Sequence, residues 1–381
     1  MTHKKIKVLQ VLVCLGGGGV ETLLLDMQER LPEHIIFDYL VAHHDFRDKE
    51  ALARGSTIYT FPLDMQRPTR WATHVGQLVR EHHYDVVHFH RFAFGGNVLK
   101  AAKQAGSTGR IAHSHRIDLR DTSLPVRLLY QPYHWTINRW LLSRHATNLI
   151  GCSSDALRHL IGPFENNPKC RVVLNGIPIE LFADGMHSTP KTELCQNYGI
   201  PADARVIGNF GRLAPMKNQE FLLLLLNLLV KRNQTNKPVM FIGGEGELRS
   251  RLEQVRDQYS LQDHVFMPGH CMNVPELLHN LCDCFVFPSQ AAEGFGLGII
   301  EAVAAGLYVV CSDVITKDIT GAFPDRITAL SLSAPLERWA DAVEDAIQRR
   351  IPPEQGLELV RNSLMTFQHF TDEMIKIYET F

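Results

Sequence analysis

Short apolar runs alternate with longer amphipathic segments along nearly the whole chain. In the first half, Ile6–Cys14, Phe37–Ala42, Asp85–His88, Ile111–Ser114 and Leu149–Cys152 read as strands. In the second half, Val206–Phe210, Val239–Ile242, His264–Phe266, Cys284–Phe287 and Tyr308–Cys311 read the same way. Between them, Glu21–Arg30, Asn218–Arg232, Glu247–Tyr259, Val274–Asn280 and Gly298–Ala305 have the length and spacing of helices. Strands written as continuous apolar runs are buried on both faces, so the pattern predicts parallel sheets covered by helices. Two sets of it predict an α/β protein of two doubly wound, Rossmann-like domains, with ligand crevices at the carboxyl ends of the strands. The turn Asn175-Gly176-Ile177-Pro178 and the polar stretch after it place the boundary. This gives an N-terminal domain at 1–178, a C-terminal domain at 179–356, and a helix at 357–381. That helix is expected to pack back toward the N-terminal domain, with Leu359, Leu364, Phe367, Met374, Ile375 and Tyr378 available for the contact.

A chain of 381 residues is long enough for two such domains, and 21% charged against 45% hydrophobic residues describes a globular protein. The net charge of -2 hides an asymmetry. Residues 1–185 hold 22 Lys+Arg against 17 Asp+Glu and 14 of the 19 histidines; residues 186–381 hold 17 against 24. A basic first half suits an anionic partner such as a membrane surface or a phosphate-bearing acceptor, or is a chance surface bias. The acidic second half carries no long basic face, which argues against nucleic acid. Eight cysteines without a paired framework, several in apolar runs, fit a reducing cytosol. Cys271, Cys282 and Cys284 lack the second knuckle of a metal site. The apolar run after Lys7 is only a strand long, and Phe221–Val230 is half a membrane span, so neither a signal peptide nor a spanning helix is expected. The expectation is a cytoplasmic protein. Arg127-Leu128-Leu129-Tyr130, Tyr133-His134-Trp135 and Arg139-Trp140-Leu141-Leu142 are aromatic and basic, as in amphipathic elements lying on anionic bilayers, or else form a core helix.

Five clusters carry candidate chemistry. Glu293 and Glu301 stand eight residues apart around a glycine-rich turn that opens into a helix, after the strand Cys284–Phe287. Were that segment fully helical, they would lie roughly 12 Å apart. Gly294, Gly296 and Gly298 let backbone approach a ligand and offer free amides at a helix start. In Gly211-Arg212-Leu213-Ala214-Pro215-Met216-Lys217-Asn218, two cations follow a strand; they can hold a diphosphate or be ordinary polar loop residues. Gly243-Gly244-Glu245-Gly246-Glu247-Leu248 can wall a nucleotide pocket or be a plain turn. Gly16-Gly17-Gly18-Gly19-Val20-Glu21 can cradle an anion or be a tight turn, and is no dinucleotide fingerprint. His88-Phe89-His90 and His113-Ser114-His115-Arg116 end two strands; such imidazoles bond a sugar hydroxyl, steady a developing charge, or simply pack.

GGVE at 18–21, NGI at 175–177, GRLAPMKN at 211–218, GGEGEL at 243–248 and EGFGLGIIEA at 293–302 occur in this order. With them the chain resembles the retaining GT-B glycosyltransferases of the GT4 type that build bacterial exopolysaccharide, capsule or lipopolysaccharide. The likeness is nearly continuous over the C-terminal domain and patchy over the N-terminal one. It implies a GT-B architecture, with two Rossmann-like domains facing a central cleft. It implies that Glu301 holds the ribose hydroxyls of a nucleotide-sugar donor, UDP-linked, and that Glu293 contacts the donor sugar. Arg212 and Lys217 match the pair on the diphosphate. Gly18 and Gly19 match a loop meeting the pyrophosphate, while Gly244, Gly296, Leu297 and Gly298 fall in donor-binding turns. His115 looks like the histidine near the anomeric carbon, with His90 and His113 as rivals for that place. Glu21, His90, His113 and Arg116 are acceptor-side candidates. The acceptor implied is a glycan or a lipid-linked oligosaccharide, met at the inner face of the plasma membrane.

No Asp-x-Asp occurs, so no metal and no cofactor are expected, and Arg212, Lys217 and the helix start at Gly298 take over a metal's electrostatic task. No side-chain nucleophile is evident, consistent with same-face attack in which the leaving phosphate helps deprotonate the acceptor. Two rivals remain at this level: a non-catalytic subunit binding a nucleotide sugar or glycan, and a GT-B nucleotide-sugar epimerase.

Overall fold

A computed structural model describes residues 4–62, 68–90, 94–115, 132–186, 189–232, 238–290 and 293–381. The chain forms two compact units, Met1–Leu174 with Gln368–Phe381, and Asn175–Phe367.

The first unit is a parallel sheet of β1 (Ile6–Val11), β2 (Ile35–Val41), β3 (Ile58–Thr60), β4 (Val86–Phe89), β5 (Gly109–Ser114), β6 (Asn148–Gly151) and β7 (Cys170–Val172). Their order is β3-β2-β1-β4-β5-β6-β7. The chain winds outward from β1 in one direction and then from β4 in the other, so its switch point lies between those two strands. Leu9, Val11, Leu40, Val87 and Phe89 of the strands bury against Trp71, Val75, Leu99 and Leu142 of the covering helices.

The second unit repeats the plan with β8 (Arg205–Phe210), β9 (Pro238–Gly243), β10 (Val265–Gly269), β11 (Cys284–Phe287), β12 (Val309–Ser312) and β13 (Ile327–Leu330). The order β10-β9-β8-β11-β12-β13 puts its switch point between β8 and β11. The helix Gln219–Arg232 is dense in leucine, with Leu222, Leu226 and Leu229 at 3.6-residue spacing facing Met240, Ile242 and Trp339. Each such leucine contributes about 1.5–3 kcal/mol of burial. Glu220 in its first turn and Lys231 and Arg232 in its last complement the helix dipole.

Every run read as a strand from sequence is one. The expected set omitted β3, β7 and β13, which are three or four residues long and form sheet edges, with side chains partly in solvent. Val274–Asn280, read as one helix, is a turn Val274–Glu276 continued by a π-helical turn Leu277–Leu281. The C-terminal segment corrects the sequence reading more substantially. It is two helices, Pro353–Arg361 and Phe367–Tyr378, broken where Thr366 bridges to Ile177. Leu359 and Leu364 are exposed, while Leu357 and Val360 are buried in the earlier helix. Asn175–Pro178 and the first of these helices belong to the second unit.

Candidate functional site

The loops after β8 and β11 flank the switch point of the second sheet and bring the sequence candidates together there. The loop after β8 makes a single 3-10 turn, Pro215–Lys217, before the helix Gln219–Arg232. Asn218 takes the left-handed conformation that ends the turn, and its side chain donates to the Pro288 carbonyl at 3.1 Å. Gln290 donates from its backbone to the Met216 carbonyl at 2.8 Å and from its side chain to Asn218 at 2.7 Å. The two loops are therefore cross-tied, which fixes Lys217 against the chain that carries Glu293.

The Lys217 ammonium lies 2.6 Å from Glu293 Oε1 and 4.8 Å from the centre of the Phe287 ring. Ser289 Oγ donates to the same carboxylate oxygen at 2.5 Å. Glu293 is 9% exposed. A carboxylate this buried needs both partners, and it has them. The Ser289 carbonyl accepts in turn from Ser312 Oγ at 2.7 Å, so the support extends to β12.

The helix after this loop is Leu297–Ala304, one residue earlier than the sequence pattern suggested, and Gly296 is its N-cap in the left-handed region at φ 112°. Glycine is what admits that conformation at no steric cost. Glu301 sits in the second turn, flanked by the buried Ile299, Ile300, Ala302, Val303 and Ala304. Burial pushes its carboxyl up to about 7, opposed by the nearby positive charge of Lys217. One ammonium thus serves two carboxylates of different character, a buried ion pair at Glu293 and a desolvated acid at Glu301.

The loop after β9 completes the second-unit site. Gly244 has φ 141°, and a Cβ there would collide with the Gly211 carbonyl. Close approach of these loops is secured by Gly211 N–H donating to Gly243 O at 2.9 Å and Leu213 N–H to Glu245 O at 2.9 Å. Arg212 is exposed, with only its carbonyl engaged, by Gln219 at 3.0 Å. Its guanidinium makes no ion pair among the described residues.

The first-unit candidates gather at the ends of β1, β4 and β5. The glycine turn leads into the helix Gly19–Glu29 with Gly18 as N-cap. The Glu21 carboxylate folds back against Gly18, and Asp45 lies beside Gly16. Burial raises the Glu21 carboxyl above its ordinary range, with Asp45 adding to the effect. The helix start that the sequence offers to a ligand anion is thus flanked in the free chain by the protein's own carboxylates. Burial foremost, then a hydrogen bond to Asp45, raises the Cys14 thiol to about 11.

His88, His90, His113 and His115 form one buried array. His90 Nδ1 and His115 Nε2 are 3.1 Å apart, His90 Nε2 donates to Gln10 Oε1 at 2.7 Å, and His88 Nδ1 pairs with Tyr378 Oη at 2.7 Å. Burial holds the first three imidazoles well below their usual range, helped by neighbouring histidines, and lowers His115 to about 3. All four are neutral at physiological pH. Arg116 and Arg127-Leu128-Leu129-Tyr130 lie outside the described residues. The sequence reading missed the roles of Ser289 and Gln10, and named Tyr378 for packing only. Gln10 had a signal, being polar inside a strand that is otherwise apolar.

Comparisons with known proteins bear on both units. Residues 190–355 match the family model described as glycosyl transferases group 1, and residues 17–181 the model for glycosyltransferase family 4. EpsF of Bacillus subtilis (strain 168), named as a glycosyltransferase, is 30% identical over 366 residues, 94% of this chain and 92% of that one. The UDP-Gal:alpha-D-GlcNAc-diphosphoundecaprenol alpha-1,3-galactosyltransferase of Escherichia coli is 25% identical, over 82% of this chain and 81% of its own. Among solved structures, Anabaena Alr3699/HepE in complex with UDP-glucose superposes with a TM-score of 0.77 at 18% identity, over 99% of this chain and 100% of that one.

Proposed function

The chain belongs to the GT4-type glycosyltransferases of the GT-B fold, and on that premise we propose that it moves a sugar from a UDP-linked donor to a glycan or lipid-linked acceptor with retention, in building a cell-surface polysaccharide. The observation that carries this reading is the Lys217–Glu293 pair beside Glu301 at the switch point of the second sheet. Glu301 accepts the two ribose hydroxyls, Glu293 orients the donor sugar, and Lys217 with Arg212 binds the diphosphate. Gly244, Gly296, Leu297 and Gly298 supply close backbone approach.

Lys217 has a second task. With the donor absent it neutralises Glu293; with the donor bound it stabilises the negative charge growing on the leaving diphosphate. The anomeric C–O bond to the diphosphate breaks as the acceptor oxygen attacks from the same face. The acceptor proton passes to a departing phosphate oxygen. Neutral His115 adds no charge beside the sugar. No metal is needed for these roles.

The name of the Escherichia coli relative supports a lipid-diphosphate acceptor, and an exposed patch suits a membrane-bound one. Trp135, Ile137 and Trp140 are 48%, 53% and 59% exposed, with Arg139 3.7 Å over the Trp135 ring and Arg144 against Trp140. Aromatic rings beside arginines are the composition of interfacial anchors. Among the described residues no helix is long and apolar enough to cross a membrane.

The test is a nucleotide-sugar panel read by thermal stabilisation, since a ligand at 100 Kd adds about 2.7 kcal/mol. NMR of the anomeric centre of the product then reports stereochemistry. Stabilisation by no uridine nucleotide, or an inverted product, would overturn the reading.

A further inference from the structure

Strands β4 and β5 carry histidine at alternate positions, 88 and 90, 113 and 115, which places the four rings on one face of the sheet. Phe89 pairs with Ala112, so the two pairs lie side by side. His88 and His113 stack with centroids 5.4 Å apart and planes within 3°. His88 and His113 are 1% exposed and His90 8%. One ring nitrogen from each of these three lies within 4.8 Å of the others.

Their hydrogen bonding is unbalanced. Both nitrogens of His113 and Nε2 of His88 have no partner among the described residues. Each such atom stays desolvated and unpaired unless something fills its place. The remaining nitrogens are firmly held. His88 Nδ1 meets Tyr378 Oη at 2.7 Å, His90 Nε2 meets Gln10 Oε1 at 2.7 Å, and Gln10 Nε2 donates to Tyr378 at 3.1 Å. Because Gln10 Oε1 can only accept, neutral His90 carries its proton on Nε2 and keeps a lone pair on Nδ1. That lone pair now takes a hydrogen bond from His115 at 3.1 Å. His88 and His90 each have one nitrogen fixed by an outer partner, as metal-ligating imidazoles do.

We propose that His88, His90 and His113 bind a divalent transition metal of the zinc class, with Tyr378 and Gln10 setting the orientations of the His88 and His90 rings. The ligand set is all imidazole, which suits zinc, cobalt or nickel and not the oxygen-seeking magnesium or calcium. Zinc–nitrogen bonds of about 2.1 Å at tetrahedral angles set ligand atoms about 3.4 Å apart, so the rings close by up to about 1.4 Å on binding. Occupancy takes the His90 lone pair from His115.

The untagged full-length chain, stripped with a chelator, is titrated with Zn²⁺ against a chromophoric competitor and with Co²⁺ in the visible range. A second candidate cluster, Cys14, His43 and Asp45 beside the glycine turn, makes the comparison decisive. The proposal expects one equivalent bound, a tetrahedral-type cobalt spectrum without a thiolate charge-transfer band, and no change in His43→Ala. His113→Ala loses at least ten-fold in affinity, and Gln10→Ala about 10–100-fold. No stoichiometric binding, a thiolate band, or loss in His43→Ala with retention in His113→Ala overturns it. If His113→Ala fails to fold by circular dichroism, His90→Ala and the wild-type cobalt spectrum decide by the same criteria.

Discussion

Replacing Glu301 by glutamine separates the cost of its burial from its use. Burial moves its carboxyl from the ordinary 4.5 to about 7 in the ligand-free fold, while the unfolded chain keeps the ordinary value. Between these values the unfolded state releases a proton that the folded state retains, so stability falls as pH rises from about 4.5 and the full penalty is present above about 7. At 1.36 kcal/mol per pH unit the ceiling is roughly 3 kcal/mol, and with a side chain only partly buried about 1–3 kcal/mol is expected. Glu301→Gln keeps the shape and removes the ionisation. Its melting temperature should match wild type near pH 5 and exceed it at pH 8, by about 2–4 °C per kcal/mol for a unit of this size. The assay is a series of thermal melts of both proteins from pH 5 to 8 without nucleotide. Parallel profiles, or a wild type more stable than the variant at pH 8, would refute the argument.

The same carboxyl links pH to binding. If ionised Glu301 accepts two ribose hydroxyls, UDP binding releases a proton and tightens between pH 6 and 8. Isothermal titration in buffers of different ionisation enthalpy detects that proton in wild type, and Glu301→Gln abolishes it.

Four further outcomes are expected. Lys217→Ala leaves Glu293 buried beside Ser289 with no cation; transfer should fall by about 10²–10³ in kcat and the melt should drop by about 1–3 kcal/mol, read by steady-state kinetics and calorimetry. Arg212→Ala, exposed and unpaired among the described residues, should leave stability within about 0.5 kcal/mol while weakening UDP binding by about ten-fold or more, read by titration calorimetry. Trp135→Ala with Trp140→Ala should abolish co-sedimentation with anionic liposomes and leave the melting temperature within about 2 °C. Below pH 6.5 the unfolded chain protonates histidines that the folded array keeps neutral, so acid should destabilise the first unit steeply; an Asn substitution at His113 should flatten the slope by up to about 1.4 kcal/mol per pH unit in denaturant titrations.

How far the sequence could be read depended on which forces the local pattern records. Central parallel strands are buried on both faces and wrote themselves as unbroken apolar runs. The edge strands β3 and β7 expose side chains and left no such run. The motif residues fell at the ends of recognisable strands, and the doubly wound rule located them. Several of their supports come from distant sequence and left no local sign. Tyr378 is 290 positions from His88, and Asn218 is 70 from Pro288. The C-terminal break at Thr366 was hidden for a similar reason, since it answers a bridge to Ile177 and no local breaker.

Glu301 marks a case where the chain did carry the signal. A glutamate early in a helix is ordinarily explained by the dipole, and that explanation presumes solvent. In Leu297–Ala304, however, every other position from Ile299 onward is buried, and the preceding strand Cys284–Phe287 is buried throughout. A helix this apolar presents little face to solvent. Any acid within it is desolvated whichever way it points, and it persists only where a partner or ligand offsets the cost. Composition around the residue, more than its position in the helix, is what marks Glu301 as the perturbed group, and the same test sets it apart from Glu220, the first-turn acid of Gln219–Arg232, which pairs with Arg251 at an exposed face.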